Sequence, residues 1–192
     1  MLKKNYVEKL KKNLHDYAMI RRDVMKSSDD ALHHAKRVIF DLHRGDVREA
    51  QEKLKLVESI MKDLMKRHKK NPEIQDEGVF SAALEEYVEA FLFFQFIKGE
   101  EMGEIKALDI SGEIYLAGLC DVPGELFRYA IRAATNHDIA TVKRCSLVAE
   151  EIIGELMEFN LTKYLRNKFD QAKQAVHKLE VVVYETSLRS GK

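Results

Sequence analysis

Apolar residues recur every three or four positions along most of the chain, which is the spacing that places them on one face of an α-helix. The first such series starts at Tyr17 and continues to Gly45, a natural helix C-terminus. A second series begins at Asp46, a candidate N-cap, and continues to about Lys70. Pro72 should end it, because the residue before a proline is pushed out of the helical region. The pattern therefore predicts two consecutive amphipathic helices.

The next part of the chain predicts a central helix, a loop and a helix that contains a proline. Residues 79–98 are apolar around most of the helix circumference, which is typical of a helix in the middle of a bundle. Residues 99–111 are the predicted loop, and Ser111 can cap the fourth helix. Pro123 lies inside that helix, so we expect a kink or a restart there.

The last part of the chain predicts two further helices. The fifth covers 139–158, and the sixth begins at Asn160 or Thr162 and continues to about Thr186. No segment predicts a convincing β-strand, and no linker or repeat divides the chain. We therefore expect one all-α domain over residues 1–192, built as a helical bundle.

Composition adds a charge pattern to this picture. The 192 residues have a formal net charge of zero. Residues 1–72 nevertheless carry 19 Lys and Arg against 11 Asp and Glu, residues 73–160 carry 6 against 18, and residues 161–192 carry 7 against 3. Basic ends favour polyanions and an acidic middle favours divalent cations, which suggests a metal enzyme acting on phosphodiesters. Solvated helix faces with an incidental bias are the alternative.

The remaining composition indicates an intracellular protein. Cys120 and Cys145 belong to no CxxC or Cys/His cluster, so we expect two ordinary semi-buried thiols. The N-terminal residues lack the apolar core of a signal peptide, and no apolar segment is long enough to span a membrane. The predicted location is the cytoplasm, without membrane association.

Three carboxylates lie in the apolar third helix. Glu86 and Glu89 are three residues apart, and Glu85 and Glu89 are four apart, so either pair can share one face. Carboxylates in such apolar surroundings are costly to desolvate unless they are paired or bind a cation. The alternative is that they form the one polar stripe of a buried helix.

Two more carboxylates, Asp121 and Glu125, lie four residues apart on the fourth helix. Antiparallel packing of the third and fourth helices would place them opposite Glu86 and Glu89. Four converging carboxylates would repel one another unless Mg²⁺ or Mn²⁺ neutralised them. Alternatively, Asp121 caps a helix restart before Pro123. A di-iron site is disfavoured, because no histidine follows a glutamate at the Glu-x-x-His spacing.

The first helix offers a candidate nucleic-acid surface. Its basic residues approximate a stripe beside the apolar seam, and such side chains contact phosphates with little sequence specificity. We call this set the basic stripe: Arg21, Arg22, Lys26, His33, Lys36, Arg37 and Arg44. The alternative is an ordinary solvated face, because Asp23, Asp29, Asp30 and Asp41 interrupt the positive charge.

Three segments together resemble a known family. They are SDDALHHAKRVIFDLHR at 28–44, LEEYVEAFLFFQFIK at 84–98 and YLAGLCDVPGELFR at 115–128. In this order and at these helical positions they are similar to the translin superfamily, most of all to its catalytic branch, Trax (translin-associated factor X). The similarity in pattern extends over almost the whole chain.

The resemblance implies a fold of about seven helices that assembles into a closed hollow octamer binding RNA or single-stranded DNA. In the Trax branch, acidic residues facing the cavity bind Mg²⁺ and cleave RNA. Carried over by motif, these residues are Glu86, Glu89 and Asp121, with Glu125 as a supporting ligand. The histidines and basic cluster with which translin binds RNA have no counterpart in DEGVF at 76–80. The short chain suits a prokaryotic relative that assembles with itself.

The leading hypothesis is therefore a Mg²⁺-dependent endoribonuclease, in which Mn²⁺ could replace Mg²⁺ and Glu89 is a candidate general base. A second hypothesis is a translin-like shell that binds RNA or single-stranded DNA without catalysis. A third is a structural helical protein whose carboxylates only face solvent. Retention of the whole acidic set favours the first hypothesis, since a protein that only binds nucleic acid has no need of it.

Overall fold

The computed structural model describes residues 2–190, with side chains described as far as Leu188. Six α-helices and one short 3₁₀ helix account for most of this part, and it contains no strand. The α-helices are α1 (Lys4–Arg44), α2 (Val47–Arg67), α3 (Gly78–Lys98), α4 (Gly112–Thr135), α5 (Ile139–Met157) and α6 (Lys163–Ser190); the 3₁₀ helix is Pro72–Asp76. The predicted all-α fold is confirmed.

Several helix ends have the predicted physical cause. Gly45 ends α1 with a φ of 85°, a left-handed conformation that glycine adopts without a steric penalty. Ser111 caps α4, since its hydroxyl accepts a hydrogen bond from the Ile114 amide at 3.4 Å. Asp46 is the N-cap residue of α2 as predicted, but its side chain makes no capping hydrogen bond. The first helix also begins earlier than predicted, at Lys4 instead of near Tyr17.

The fourth helix does not restart at its proline. α4 continues unbroken from Gly112 to Thr135 with Pro123 inside it. Asp121 therefore lies in the helix interior, and the alternative that it caps a restart is wrong. Its carboxylate is free for other contacts.

The first three helices run up, down and up. Asp23 in the middle of α1 pairs with Arg67 at the end of α2, and Asp41 near the end of α1 pairs with Lys53 near the start of α2, so α1 and α2 are antiparallel. His43 at the end of α1 packs on Phe93 near the end of α3, with ring centroids 5.0 Å apart. α1 and α3 are therefore parallel.

α3 and α4 are also parallel, and the predicted antiparallel packing is wrong. Val88 lies against Gly118, and further along both helices Phe93 packs on Tyr129 with ring centroids 5.9 Å apart. Residues 99–111 return along the bundle and bury Ile105 and Leu108. Thirteen extended residues can span about 43 Å, more than the roughly 31 Å of α3, so the loop is long enough for this return.

The last three helices repeat the up, down and up order. The short turn at 136–138 joins α4 to α5 as antiparallel neighbours. α6 runs parallel to α4, because Lys168 pairs with Asp121 while Lys178 lies over the Phe127 ring further along. One hydrophobic cluster contains residues of all six helices and includes Tyr87 and Phe93.

Both cysteines are inside this core. Cys120 and Cys145 are free and buried, more deeply than the predicted semi-buried thiols. Burial raises the pKa of Cys120 to about 11 and that of Cys145 to about 12. They remain protonated near neutral pH and behave as small apolar side chains.

Candidate active site and nucleic-acid surface

The site begins with the close approach of α3 and α4 at Gly118. A Cβ atom on this residue would lie 2.6 Å from the Val88 Cβ and 2.7 Å from the Glu85 carbonyl oxygen. No side chain fits at such distances, so glycine permits the two backbones to touch. Asp121 follows three residues later and is therefore held beside the acidic part of α3.

Four of the predicted carboxylates are brought together, and we call Glu86, Glu89, Asp121 and Glu125 the acidic cluster. Glu89 is 8% exposed, and burial, followed by repulsion from Asp121 and Glu86, raises its pKa to about 9. Burial is also the largest cause of the raised pKa of Glu86 and of Asp121, and Glu125 contributes to both. The carboxylates therefore resist simultaneous ionisation. Because Glu89 is buried, the hypothesis of carboxylates that only face solvent does not hold for it.

Two members of the acidic cluster have no direct partner. Within residues 2–188, neither Glu86 nor Glu89 makes a hydrogen bond or ion pair through its side chain. Lys36 and Lys168 lower the pKa of Glu86 only by charge acting at longer range. A buried carboxylate without a partner is unfavourable, so this donor set is suited to a cation.

The donor chemistry fits Mg²⁺ or Mn²⁺, both of which prefer oxygen ligands. In their present conformations the side chains are not arranged for such an ion. Among the residues whose side chains are described, no three His, Cys, Asp or Glu groups form a ready metal ligand set. Asp121 and Glu125 are instead each paired with a side chain from another helix.

Asp121 is paired with a lysine from another helix. The Lys168 ammonium on α6 donates to Asp121 and lies 3.2 Å from Oε2 of Glu85. The Tyr164 hydroxyl donates to the same Glu85 oxygen at 2.6 Å. Burial lowers the pKa of Lys168, but the bond to Asp121 and the charges of both carboxylates outweigh it and leave that pKa raised. Lys168 is therefore a firmly charged ammonium.

Glu125 is paired with a histidine from α1. Nε2 of His43 is hydrogen-bonded to Oε2 of Glu125, and Arg128 lies 3.8 Å from the same oxygen. The His43 ring is buried between Phe93 and Tyr129. Arg132 donates to the His43 carbonyl and satisfies the end of α1. Glu125 is thus held more firmly than Glu86 or Glu89.

The basic stripe lies along α1 as predicted, and all seven of its members are exposed. Arg21 is bonded to Glu77 at 3.1 Å, and Arg44 lies over the Phe40 ring and 3.6 Å from Asp46. The other five make no ion pair with a described residue: Arg22, Lys26, His33, Lys36 and Arg37.

Two of the four interrupting aspartates do not weaken the stripe. Asp23 is bonded to Arg67 of α2 and to His68, the residue after α2, and Asp41 is bonded to Lys53 of α2. Both therefore face the neighbouring helix. Lys36 extends the positive field as far as Glu86, which links the basic stripe to the acidic cluster.

Sequence reasoning missed three contributors to the site. Gly118 was not recognised as a contact point, although a glycine inside a helical pattern is a known signal of close packing. Lys168 and Tyr164 lie on α6, and Lys168 is 47 residues from Asp121 in the chain. Nothing in the local pattern of α6 indicates that contact.

Hydropathy places no membrane span in the described helices. None of them combines sufficient length with sufficient apolar character to cross a bilayer.

Relatives of known name and structure are similar to this chain. It is 28% identical over 184 residues to an uncharacterized protein of Methanocaldococcus jannaschii, a match that covers 88% of this chain and 78% of the relative. It is 32% identical over 94 residues to translin of Gallus gallus, covering 48% of this chain and 41% of that protein.

A solved structure, that of AfC3PO in complex with duplex RNA, superposes with a TM-score of 0.88. The two sequences are 28% identical, and the match covers 96% of this chain and 97% of that chain. The sequence pattern of the translin family matches residues 19–190, from the first part of α1 to the end of α6. A match over nearly the whole bundle establishes that this chain belongs to the translin family.

Proposed function

We propose that this protein is a Mg²⁺-dependent endoribonuclease that binds RNA within an assembly of its own copies. Glu86, Glu89 and Asp121 would hold the ion, and Glu125 would support them. Mn²⁺ has the same ligand preference and is expected to substitute. The assignment to the Trax-like branch is part of the proposal.

The observation that carries the proposal is the acidic cluster itself. Two parallel helices, packed in contact at Gly118, bring four carboxylates together, and Glu86 and Glu89 make no ion pair with a described residue. Such an arrangement destabilises the folded protein without a cation. A function that uses the charge explains why the chain carries it.

Different residues would perform the binding and the proton-transfer parts of the reaction. The unpaired members of the basic stripe would bind the phosphate backbone, and Lys36 would hold it next to Glu86. When bound, Mg²⁺ supplies positive charge for the phosphate and an acidified water. In its ionised form, Glu89 is the candidate to accept a proton from the attacking water.

RNA is the proposed substrate because AfC3PO, a structural neighbour at 28% identity, was solved with duplex RNA. Single-stranded DNA is a further proposed ligand. Self-assembly is supported by large apolar side chains exposed at both ends of the chain, Leu10 and Leu14 on α1 and Tyr184 and Leu188 on α6. The octamer is proposed from the family resemblance alone. The cytoplasmic location stays a prediction.

The test compares RNA cleavage by the unmodified protein and by Glu86→Gln, in Mg²⁺ and in EDTA. We expect cleavage only with the metal, and a loss of at least about 100-fold in the variant, because one ligand charge is removed. Glu113→Gln, at an exposed carboxylate on the same helix as Asp121, is the matched control and should cleave normally. Full activity in Glu86→Gln would contradict the site assignment.

A second candidate function is RNA binding without catalysis. It is favoured by the pairing of Asp121 with Lys168 and of Glu125 with His43, which leaves no ready ligand set among the described side chains. In that case all variants of the acidic cluster would bind RNA, and no preparation would cut it in any metal.

A further inference from the structure

Lys168 is a half-buried lysine that is bonded to the acidic cluster. Its side chain is 15% exposed and enters from α6, a helix that contributes no carboxylate to the cluster. It contacts two carboxylates, Asp121 inside the cluster and Glu85 outside it. The contact with Asp121 is a charge-assisted hydrogen bond, the stronger kind, and the contact with Glu85 is an ion pair at 3.2 Å.

The two carboxylates that Lys168 contacts differ in their other hydrogen bonds. Glu85 is also held by the Tyr164 hydroxyl at 2.6 Å, which fixes its Oε2 atom independently of Lys168. Asp121 has no other hydrogen bond from a side chain in the described part of the chain. An ammonium on a flexible four-carbon stem can therefore leave Asp121 and remain bonded to Glu85.

A divalent cation at Asp121 would conflict with this pairing. The Lys168 ammonium donates to Oδ2 of Asp121 and so occupies one of the two oxygens that this carboxylate could offer to an ion. Two positive charges on one carboxylate in a partly buried site repel strongly, since the low dielectric weakens screening. The ammonium on this carboxylate therefore lowers its affinity for a divalent cation.

We propose that Lys168 is the built-in counter-ion of the metal-free site and competes with the divalent cation for Asp121. Glu85, held in place by Tyr164, is the alternative partner that keeps the ammonium when the metal binds at Asp121. The inference rests on the proposed metal-dependent function and adds its regulation. Lys168 thus stabilises the empty cluster and sets the metal concentration at which it fills.

The test measures Mn²⁺ and Mg²⁺ binding to the assembled protein by titration calorimetry, without RNA. Lys168→Met removes the charge and keeps most of the side-chain volume. We expect it to bind metal about tenfold more tightly, and to melt several degrees lower without metal. Lys168→Arg, which keeps the charge, should stay within about twofold of the unmodified protein.

Glu85→Gln provides a test of opposite sign that keeps Lys168 in place. It weakens the interaction of Lys168 with the side chain at position 85. The ammonium then stays on Asp121, and metal binding should weaken several-fold. A residue with a merely structural role would shift both variants in the same direction. Metal binding to Lys168→Met that is no tighter than in the unmodified protein overturns the inference.

The outcomes also separate this inference from the proposed function. If the unmodified protein binds metal and Lys168→Met does not bind it more tightly, only the counter-ion role fails. If neither binds metal, the proposed metal site fails together with it. If Lys168→Met alone binds metal, the competition is established in its strongest form.

Discussion

The acidic cluster and the basic stripe hold their charges in opposite ways. The four carboxylates are buried or half-buried between α3 and α4, and burial and neighbouring carboxylates raise the pKa values of Glu86, Glu89 and Asp121. The seven basic side chains lie on the exposed face of α1, and five of them have no ion pair among the described residues. The acidic cluster is therefore electrostatically unfavourable in the folded protein, whereas the basic stripe is not.

This difference assigns different roles to the two regions. Charges that are buried without partners cost stability, so they indicate a site whose function requires them. Exposed basic side chains cost little and attract any polyanion, with an affinity that falls as salt rises. We therefore expect changes in the cluster to affect chemistry and metal binding, and changes in the stripe to affect RNA affinity.

Among variants outside the acidic cluster, the largest effect is expected on RNA binding by the basic stripe. Arg22→Glu combined with Arg37→Glu should weaken binding by about 10- to 100-fold and make log Kd less steeply dependent on log salt, because fewer phosphates are neutralised. Metal affinity should be unchanged. Fluorescence anisotropy at several salt concentrations measures the Kd for RNA and its dependence on salt.

The matched control is Lys55→Glu with Lys66→Glu, which reverses two exposed and unpaired charges on α2. It makes the same change in net charge on a different helix. Equal losses in the two double variants would mean that net charge, and not the stripe, determines binding.

A smaller effect is expected where α3 and α4 touch. Gly118→Ala would place a methyl group against Val88 and the Glu85 carbonyl, so the helices must move apart, at a cost of about 1–3 kcal/mol. Displacement of Asp121 should also weaken metal binding. Thermal unfolding with and without Mn²⁺ measures the two effects.

Gly124→Ala, in the same helix, is the control for this change. A Cβ at that position meets nothing within 4 Å, so alanine should be neutral or stabilise α4 by about 0.5–1 kcal/mol. A Gly118→Ala protein as stable as Gly124→Ala would mean that α3 and α4 separate without cost.

The smallest effect concerns a carboxylate of α1 that has a partner. The hydrogen bond from His68, and then that from Arg67, lowers the pKa of Asp23 below its usual 3.8. A lowered folded-state pKa contributes stability above the unfolded pKa, and this contribution is lost as pH falls through the folded value. Because Asp23 is 41% exposed, the contribution should be below about 1 kcal/mol.

Urea unfolding at pH 7 and at points below pH 4 tests this. Asp23→Asn should be less stable than the unmodified protein at pH 7, and the difference should disappear below the folded pKa. Asp29→Asn, at an exposed residue without an ion pair among the described side chains, is the control. A difference that persists at low pH would show that the carboxylate charge is not its cause.

The secondary structure was predictable because its signals are local. The stop at Gly45, the cap at Ser111 and the apolar third helix depend on residues within a turn or two of one another. The restart expected at Pro123 failed because a local signal did not decide the structure. The proline was expected to kink or restart α4, yet the helix, packed against α3, α5 and α6, is continuous through Pro123.

The candidate site was predictable only in part. Spacing and resemblance identified Glu86, Glu89, Asp121 and Glu125, and the structure brings all four together. The sequence did not show that α3 and α4 are parallel, because the direction depends on whether the loop at 99–111 folds back along the bundle. Antiparallel helices that cross at the same point would also bring the four carboxylates together, so this prediction did not depend on the helix direction.

The sequence by itself determined which residues are helical, which face of each helix is apolar and which carboxylates lie one turn apart. These properties follow from the helical repeat and from the chemistry of single residues. The tertiary structure alone decided that Gly118 brings the helices into contact, that His43 pairs with Glu125 and that Lys168 reaches Asp121. Contacts between residues 47 or 82 positions apart depend on how the helices pack, since no local interaction fixes the distance between them.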